Sequence, residues 1–111
     1  MSTASARTAD DDRALIEAVE AWVEKELRPV ARQFDLADEY PAEIVEQMKE
    51  LGLFGATISE AYGGLGLSAW TYAQIVMKVA AVWMAPSGIF NSHLIMASAI
   101  ERSGTEDQKR R

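Results

Sequence analysis

The sequence predicts an all-α fold, a bundle of about four long helices with a glycine-rich loop between the second and the third. Three observations support this prediction. Apolar residues recur at spacings of three and four along most of the chain, which is the period of an amphipathic helix. Capping signals mark where helices begin and end. No stretch alternates apolar and polar residues as a half-buried strand does.

The first predicted helix begins at the aspartates of residues 10–12, because acidic side chains are favoured at the positive end of a helix dipole. An apolar stripe then continues to Phe34, about six helical turns further on. Pro29 lies inside this stripe and predicts a kink, since proline removes one backbone hydrogen bond. The stripe consists of Leu15, Ile16, Val19, Trp22, Val23, Leu27, Val30 and Phe34.

The second predicted helix begins at Pro41, which suits a first helical position, and ends at Gly52, which suits a C-terminal cap. Its apolar stripe consists of Ile44, Val45, Met48 and Leu51. Residues 53–67 are rich in glycine and carry no helical stripe, so they predict a long ordered loop.

Three more helices are predicted after the loop. Ser68 is a candidate N-cap for a third helix that ends near residue 82, and Pro86 begins a fourth that continues to Gly104. Thr105 and Gln108 have the spacing of a capping box and open a fifth helix. The chain ends about two turns later, and so short a helix is not stable by itself. We therefore expect a longer protein.

The domain prediction follows from these elements. Residues 1–9 are small and polar and predict a disordered N-terminal tail. Residues 10–111 form the predicted helical domain, cut before any further domain.

Composition excludes several classes of protein. The net charge is −6, so nucleic-acid binding is not expected. The chain has no cysteine, which excludes disulfides, cysteine zinc sites, iron–sulfur clusters and thiol catalysis. The N-terminus has no apolar region of a secretory signal, and the default localisation is cytoplasmic.

The charge is distributed very unevenly. Residues 10–50 carry 13 acidic and 5 basic side chains, whereas residues 51–100 carry only Glu60 and Lys78. The stretch 79–100 is long enough to span a membrane, but its serines, Asn91, Pro86 and His93 disfavour that interpretation. The second half is instead expected to be covered by protein or ligand outside this chain.

Three candidate sites have a structural interpretation that we favour. The Gly63-Gly64-Leu65-Gly66 run matches no phosphate-binding motif and predicts a tight turn. His93, the one histidine, has no nearby carboxylate and no second ligand, which favours a hydrogen-bonded packing role. The acidic residues between Glu17 and Glu26 lie opposite an apolar stripe and predict a solvated face. No metal site is predicted.

The fourth helix has two distinct faces when plotted at 100° per residue. Its core stripe is predicted to contain Ile89, Phe90, His93, Leu94, Ala97 and Ile100. Its other face is uncharged, small and mildly polar: Met84, Ser87, Gly88, Asn91, Ser92 and Ile95. This second face suits the wall of a mostly apolar ligand pocket, and it equally suits close packing against another helix.

The segment from Leu51 to Ser68 contains Leu-Gly-Leu-Phe-Gly and then Ser-Glu-Ala-Tyr-Gly-Gly-Leu-Gly-Leu-Ser. With the Pro29 kink and the predicted helices, this segment resembles the N-terminal helical domain of the flavin-dependent acyl-CoA dehydrogenases, over about residues 11–111. The Tyr40-Pro41 helix start and the closing Gly-Thr-Glu-Asp-Gln-Lys segment also match. Ser59 departs from the family, which usually has proline there, and this is expected to loosen the turn.

The resemblance implies an enzyme with a middle β-domain and a C-terminal helical domain beyond this chain, usually assembled as a homotetramer. In the family, a glutamate of the C-terminal region removes the α-proton of an acyl-CoA, and a hydride passes from the β-carbon to FAD. An electron-transferring flavoprotein then reoxidises the flavin. These regions lie beyond Arg111, so no catalytic residue is assigned to this chain, Glu60 included. FAD would be bound mostly by the same absent regions.

The resemblance also suggests that the acyl-substrate pocket lies at Ser87, Gly88, Asn91, Ser92 and Ile95, the face that the helical plot selects. Tyr62, Gly63, Gly64 and Gly66 are expected to form a structural loop. Two alternatives to an acyl-CoA dehydrogenase domain are kept. The chain could be a non-catalytic helical assembly or binding module, or it could be part of an acyl-CoA oxidase or flavin monooxygenase relative.

Overall fold

The structure, a computed structural model, describes residues 8–111 and is helical in its regular elements throughout that range. The α-helices are α1 (Ala9–Trp22), α2 (Arg28–Ala37), α3 (Ala42–Glu50), α4 (Ala69–Ala80), α5 (Met84–Ser103) and α6 (Glu106–Arg110). The all-α prediction is confirmed. The predicted tail falls mainly on residues 1–7, which lie outside the described part; Thr8 is an N-cap and Ala9 is already helical.

Helix α1 starts where its capping chemistry is satisfied. The Thr8 hydroxyl accepts a hydrogen bond from the Asp11 amide at 3.0 Å, and the Asp11 carboxylate accepts one from the Thr8 amide at 3.1 Å. This reciprocal pair satisfies two backbone donors that have no partner within the helix.

The predicted interruption at Pro29 takes the form of a π-helical turn, Val23–Leu27, that joins α1 to α2. The Arg28 amide donates to the Val23 carbonyl, five residues back. Pro29 follows at the start of α2, where a missing N–H costs little. The wider turn therefore accommodates the proline. The spacing of apolar residues does not reveal a π-helical turn.

The later boundaries follow the predicted signals to within two or three residues. Pro41 is the N-cap of α3 and not its first residue, and the C-cap is Leu51 and not Gly52, which follows the cap with a φ of 82°. The Ser68 hydroxyl accepts from the Thr71 amide at 3.2 Å, and the Thr105–Gln108 capping box is present. Helix α5 begins two residues before Pro86, which therefore lies in its first turn.

One apolar core is shared by α1, the π turn, α3, α4, α5 and the loop, and α4 packs between α1 and α5. Phe90, Leu27, Met48, Leu53 and Ile75 are among its largest fully buried side chains. At its edge, Trp22 Nε1 donates to Gln47 Oε1 at 2.8 Å and ties α1 to α3. Among residues 8–111, no helix is both long enough and apolar enough to cross a bilayer.

The loop between α3 and α4 closes on itself around Gly64. Amides of residues 65, 66 and 67 donate to the carbonyls of Gly55, Ile58 and Ala56 at 2.9, 2.8 and 2.9 Å. A Cβ at Gly64 would overlap the Ile58 carbonyl and lie 2.7 Å from the Gly55 oxygen. Only glycine permits this approach of two backbone segments.

The two glycines Gly64 and Gly88 give a matched test of this packing. We expect Gly64→Ala to lower the free energy of unfolding by about 3 kcal/mol, because a methyl group has no space between two backbone segments. Gly88 is helical, and a Cβ there meets nothing within 4 Å. Gly88→Ala should therefore raise stability by about 0.5–1 kcal/mol. Urea denaturation followed by circular dichroism measures both, and equal effects would contradict the packing around Gly64.

Candidate functional site

The outer face of α5 carries four of the five residues predicted for an acyl pocket. Gly88, Asn91, Ser92 and Ile95 are all exposed, and 66% of the Ile95 surface is accessible. They lie at spacings of three and four and therefore share one side of the helix. The structure places them together as an uncharged surface.

Ser87 is separated from this set. It is only 5% exposed, and its hydroxyl donates to the Met84 carbonyl at 2.6 Å. The helical plot assigns it to the outer face, whereas the structure places it on the side of α5 that is buried in the core. Its hydroxyl is thus used within the helix.

The predicted core stripe of α5 needs a correction at its margins. Phe90 and Leu94 are buried and Ile89 and Ala97 are half-buried, but His93 and Ile100 are exposed. The side of α5 that faces the core is centred between Phe90 and Leu94, and His93 lies at the margin of that side. Its ring contacts the Phe54 ring edge-on, with centroids 5.2 Å apart. No group of residues 8–111 hydrogen bonds to the imidazole, so the predicted hydrogen-bonded role is not observed.

A cleft of about 320 Å³ opens beside the outer face of α5. It is lined by Thr57, Tyr72, Asn91, Leu94, Ile95, Ser98, Ala99 and Arg102. Asn91 and Ile95 were predicted for the pocket. Ser98 and Arg102 continue the same helical side, and the plot could have included them. Thr57 and Tyr72 come from the loop and α4, and no local sequence signal indicates them.

Within this cleft, Tyr72 and Asn91 are directly connected. The Tyr72 hydroxyl donates to Asn91 Oδ1 at 2.6 Å. Burial raises the pKa of Tyr72 above its ordinary value, so the phenol stays protonated and acts as a donor. The Tyr72 ring meets buried Phe90 edge-on, with centroids 6.2 Å apart. The position of Asn91 is therefore fixed from the core.

A second cleft of about 200 Å³ lies between the glycine-rich loop and the C-terminal half of α5. Its lining includes Phe54, Tyr62, His93, Glu101 and Lys109. The loop amides do not point into it as free donors, because those of residues 63 to 66 bond to carbonyls of the loop itself. The glycine run therefore has no phosphate-binding geometry.

Ser59 ties this loop to α5. Its backbone amide donates to Glu101 Oε2 at 3.0 Å, and hydrogen bonds from Ser59 lower the pKa of the Glu101 carboxyl. A proline at this position has no N–H and could not make the contact. Ser59 therefore adds an anchor between the loop and α5, and the looser turn expected in the absence of proline stays a prediction.

Tyr62 connects the same loop to α6. Its hydroxyl donates to Glu106 Oε1 at 2.6 Å, while Lys109 and Arg110 lie 6.0 and 5.5 Å from the ring centroid. The hydrogen bond lowers the pKa of Glu106 and raises that of Tyr62. The contact is thus strongest between an ionised carboxylate and a protonated phenol.

We expect this contact to be present in a defined pH range. Because the pKa of Glu106 is lowered on folding, its contribution is present above the ordinary glutamate pKa of about 4.3 and is lost as the pH falls through the lowered value. The Tyr62 contribution is present below about pH 10 and is lost as the pH rises through the raised value. Carbon-13 NMR titration of the Glu106 carboxyl should show its pKa return toward normal in Tyr62→Phe, but not in the control Tyr40→Phe. An unchanged titration in both variants would refute the contact.

Neither cleft contains a metal centre. Across the described range, no three His, Cys, Asp or Glu side chains are grouped so that they could hold an ion. The first cleft is lined by no acidic side chain at all. It therefore offers hydrogen-bond donors and apolar surface, and it offers no carboxylate base.

Comparison with known proteins gives a consistent result. Residues 9–111 match the family described as "Acyl-CoA dehydrogenase, N-terminal domain". The chain is 32% identical over 94 residues to the short-chain specific acyl-CoA dehydrogenase of Clostridium acetobutylicum, covering 84% of this chain and 25% of that protein. It is 36% identical over 88 residues to the acryloyl-CoA reductase (NADH) of Anaerotignum propionicum, covering 79% of this chain and 22% of that protein.

A solved structure shares the fold. It is described as the electron transferring flavoprotein of Acidaminococcus fermentans, in work on flavin-based electron bifurcation. The TM-score is 0.84 at 25% identity, and the match covers 95% of this chain and 28% of that one. This chain spans about a quarter of the length of the curated relatives. Since nearly all of its described residues match the family, the chain belongs to the acyl-CoA dehydrogenase family as an N-terminal helical domain.

Proposed function

We propose that this chain supplies the acyl-binding wall of a flavin-dependent acyl-CoA dehydrogenase. The observation that carries the proposal is the outer face of α5, where Gly88, Asn91, Ser92 and Ile95 are exposed and uncharged. A Cβ at Gly88 would meet no atom within 4 Å, so this face has room for an acyl chain. Ile95 provides apolar contact, and Asn91 provides hydrogen bonding.

The reaction proposed for the complete protein is the α,β-dehydrogenation of an acyl-CoA thioester. The family membership supports this, and so do two relatives whose names specify acyl-CoA and acryloyl-CoA. Because no acidic residue lines the cleft beside α5, the base that removes the α-proton would come from another part of the protein. The role of this chain is to bind and orient the acyl group.

The glycine-rich loop does not supply the phosphate donors that FAD needs. A dinucleotide needs donors for its phosphates, yet the amides of the glycine-rich loop are used within the loop. We therefore propose that FAD is bound mostly by other parts of the longer protein.

Further partners proposed for the complete enzyme are an electron-transferring flavoprotein as acceptor and copies of itself in a homotetramer. The likeness to a structure described as an electron transferring flavoprotein supports flavin-linked electron transfer in general. We also propose that the complete enzyme is cytoplasmic.

A variant at Gly88 tests the acyl-binding wall. We expect Gly88→Leu to reduce binding of hexanoyl-CoA to the 111-residue chain at least tenfold, because the new side chain occupies the open space over Gly88 on the outer face of α5. Stability should not fall, since leucine favours the helix more than glycine does. Binding is measured from amide shifts of α5 in nitrogen-15 NMR titrations, and circular dichroism confirms folding.

The matched control is Ala73→Leu, which adds the same side chain to an exposed position of α4. It should leave binding unchanged. Shifts confined to other helices, or equal binding by Gly88→Leu and wild type, would refute the proposal. The non-catalytic helical module would then be the better interpretation.

A further inference from the structure

Met84 is an exposed methionine on the outer face of α5. It is the first residue of the helix, and 73% of its surface is accessible. Its carbonyl accepts a hydrogen bond from the Ser87 hydroxyl at 2.6 Å, which fixes the backbone at this position. Met84 precedes Gly88, Asn91 and Ile95 at spacings of four, three and four, so these residues form one row along the helix. The row therefore has a thioether at its N-terminal end.

A thioether in this place suits contact with an acyl chain. Methionine is unbranched and flexible, so its side chain adapts to apolar ligands of irregular shape. The space over Gly88 is open, since a Cβ there meets no atom within 4 Å. Gly88 is about one helical turn, roughly 6 Å, from Met84. An acyl chain that lies along the row over Gly88 therefore contacts the Met84 side chain.

The same thioether can be oxidised. The chain contains no cysteine, so its methionines are its only sulfur groups. Hydrogen peroxide transfers one oxygen atom to the sulfur: an S–O bond forms, the O–O bond breaks and water leaves. The sulfur loses two electrons, and the peroxide gains them. The product, methionine sulfoxide, is polar where the thioether was apolar.

We infer that Met84 is an oxidation-sensitive residue of the acyl-binding face, and that its conversion to the sulfoxide by hydrogen peroxide weakens acyl binding reversibly. This inference rests on the proposed acyl-binding function and specifies a regulation of that site. The physical reason is desolvation. A sulfoxide oxygen binds water, and an acyl chain placed over it removes that water without replacing its hydrogen bonds.

Three other methionines of the described range serve as internal controls. Met48 is fully buried in the core. Met77 is 68% accessible but lines a different cleft, of about 500 Å³, between α1 and α4. Met96 is 64% accessible and follows Ile95 by one residue, so its side chain lies about 100° away around the helix axis. Met77 and Met96 thus match Met84 in exposure and lie outside its row.

Peroxide treatment of the 111-residue chain tests the inference. Mass spectrometry follows the gain of one oxygen at each methionine, and nitrogen-15 NMR titration measures hexanoyl-CoA binding before and after treatment. We expect Met84 to be oxidised on the order of tenfold faster than Met48, whose reaction requires local opening of the core. Binding should weaken about fourfold, the effect of losing one methylene-sized apolar contact. Methionine sulfoxide reductases for both epimers should restore it.

Met84→Leu is the decisive variant, because it removes the thioether and keeps an apolar side chain of similar volume. Each protein is compared with itself before and after treatment, and circular dichroism confirms that it stays folded. Met84→Leu should keep its own affinity through treatment, although Met77 and Met96 are oxidised. The matched control combines Met77→Leu with Met96→Leu. It retains Met84 and should lose binding as the wild type does.

The outcomes separate this inference from the function on which it rests. If Met84→Leu loses as much binding as the wild type, or if the wild type binds equally well once Met84 is oxidised, the inference is overturned and the acyl-binding function stands. The same holds if Met84 is oxidised no faster than Met48. If hexanoyl-CoA shifts no amide of α5 before treatment, the acyl-binding function fails and the inference fails with it.

Discussion

The burial of Phe90 is the constraint on which the candidate site depends. Phe90 is fully buried, and with Leu94 it sets which side of α5 faces the core. Gly88, Asn91 and Ile95 face outward as a consequence. The Tyr72 ring packs edge-on against Phe90, and its hydroxyl reaches Asn91. A single core contact therefore controls both the exposure of the face and the orientation of its amide.

The glycine-rich loop provides a second, separate constraint. Its amides bond to its own carbonyls around Gly64, and Ser59 and Tyr62 then attach it to Glu101 of α5 and Glu106 of α6. These contacts hold the C-terminal half of α5, on which Arg102 and Ser98 lie. The loop therefore serves as a scaffold for the helix that carries the cleft, and its glycines serve the backbone and not a phosphate group.

Much of the fold could be predicted because its signals are local. Capping residues such as Ser68 and Thr105, and the apolar stripes of α1 and α3, are read within one or two turns of helix. The π turn before Pro29 was not predicted, because apolar spacing does not distinguish five-residue from four-residue hydrogen bonding. Ser87 and His93 were misplaced because a helical plot gives angles around an axis, whereas the extent of burial depends on neighbouring helices.

The sequence alone determined the helices, their caps, the family resemblance and the uncharged outer face of α5. Only the tertiary structure brought Tyr72 of α4 to Asn91, nineteen residues away, and Thr57 of the loop to the same cleft. Such pairs depend on how helices cross and on which buried side chains separate them. No local periodicity contains that information, so the hydrogen-bonding character of the cleft was settled by packing and not by pattern.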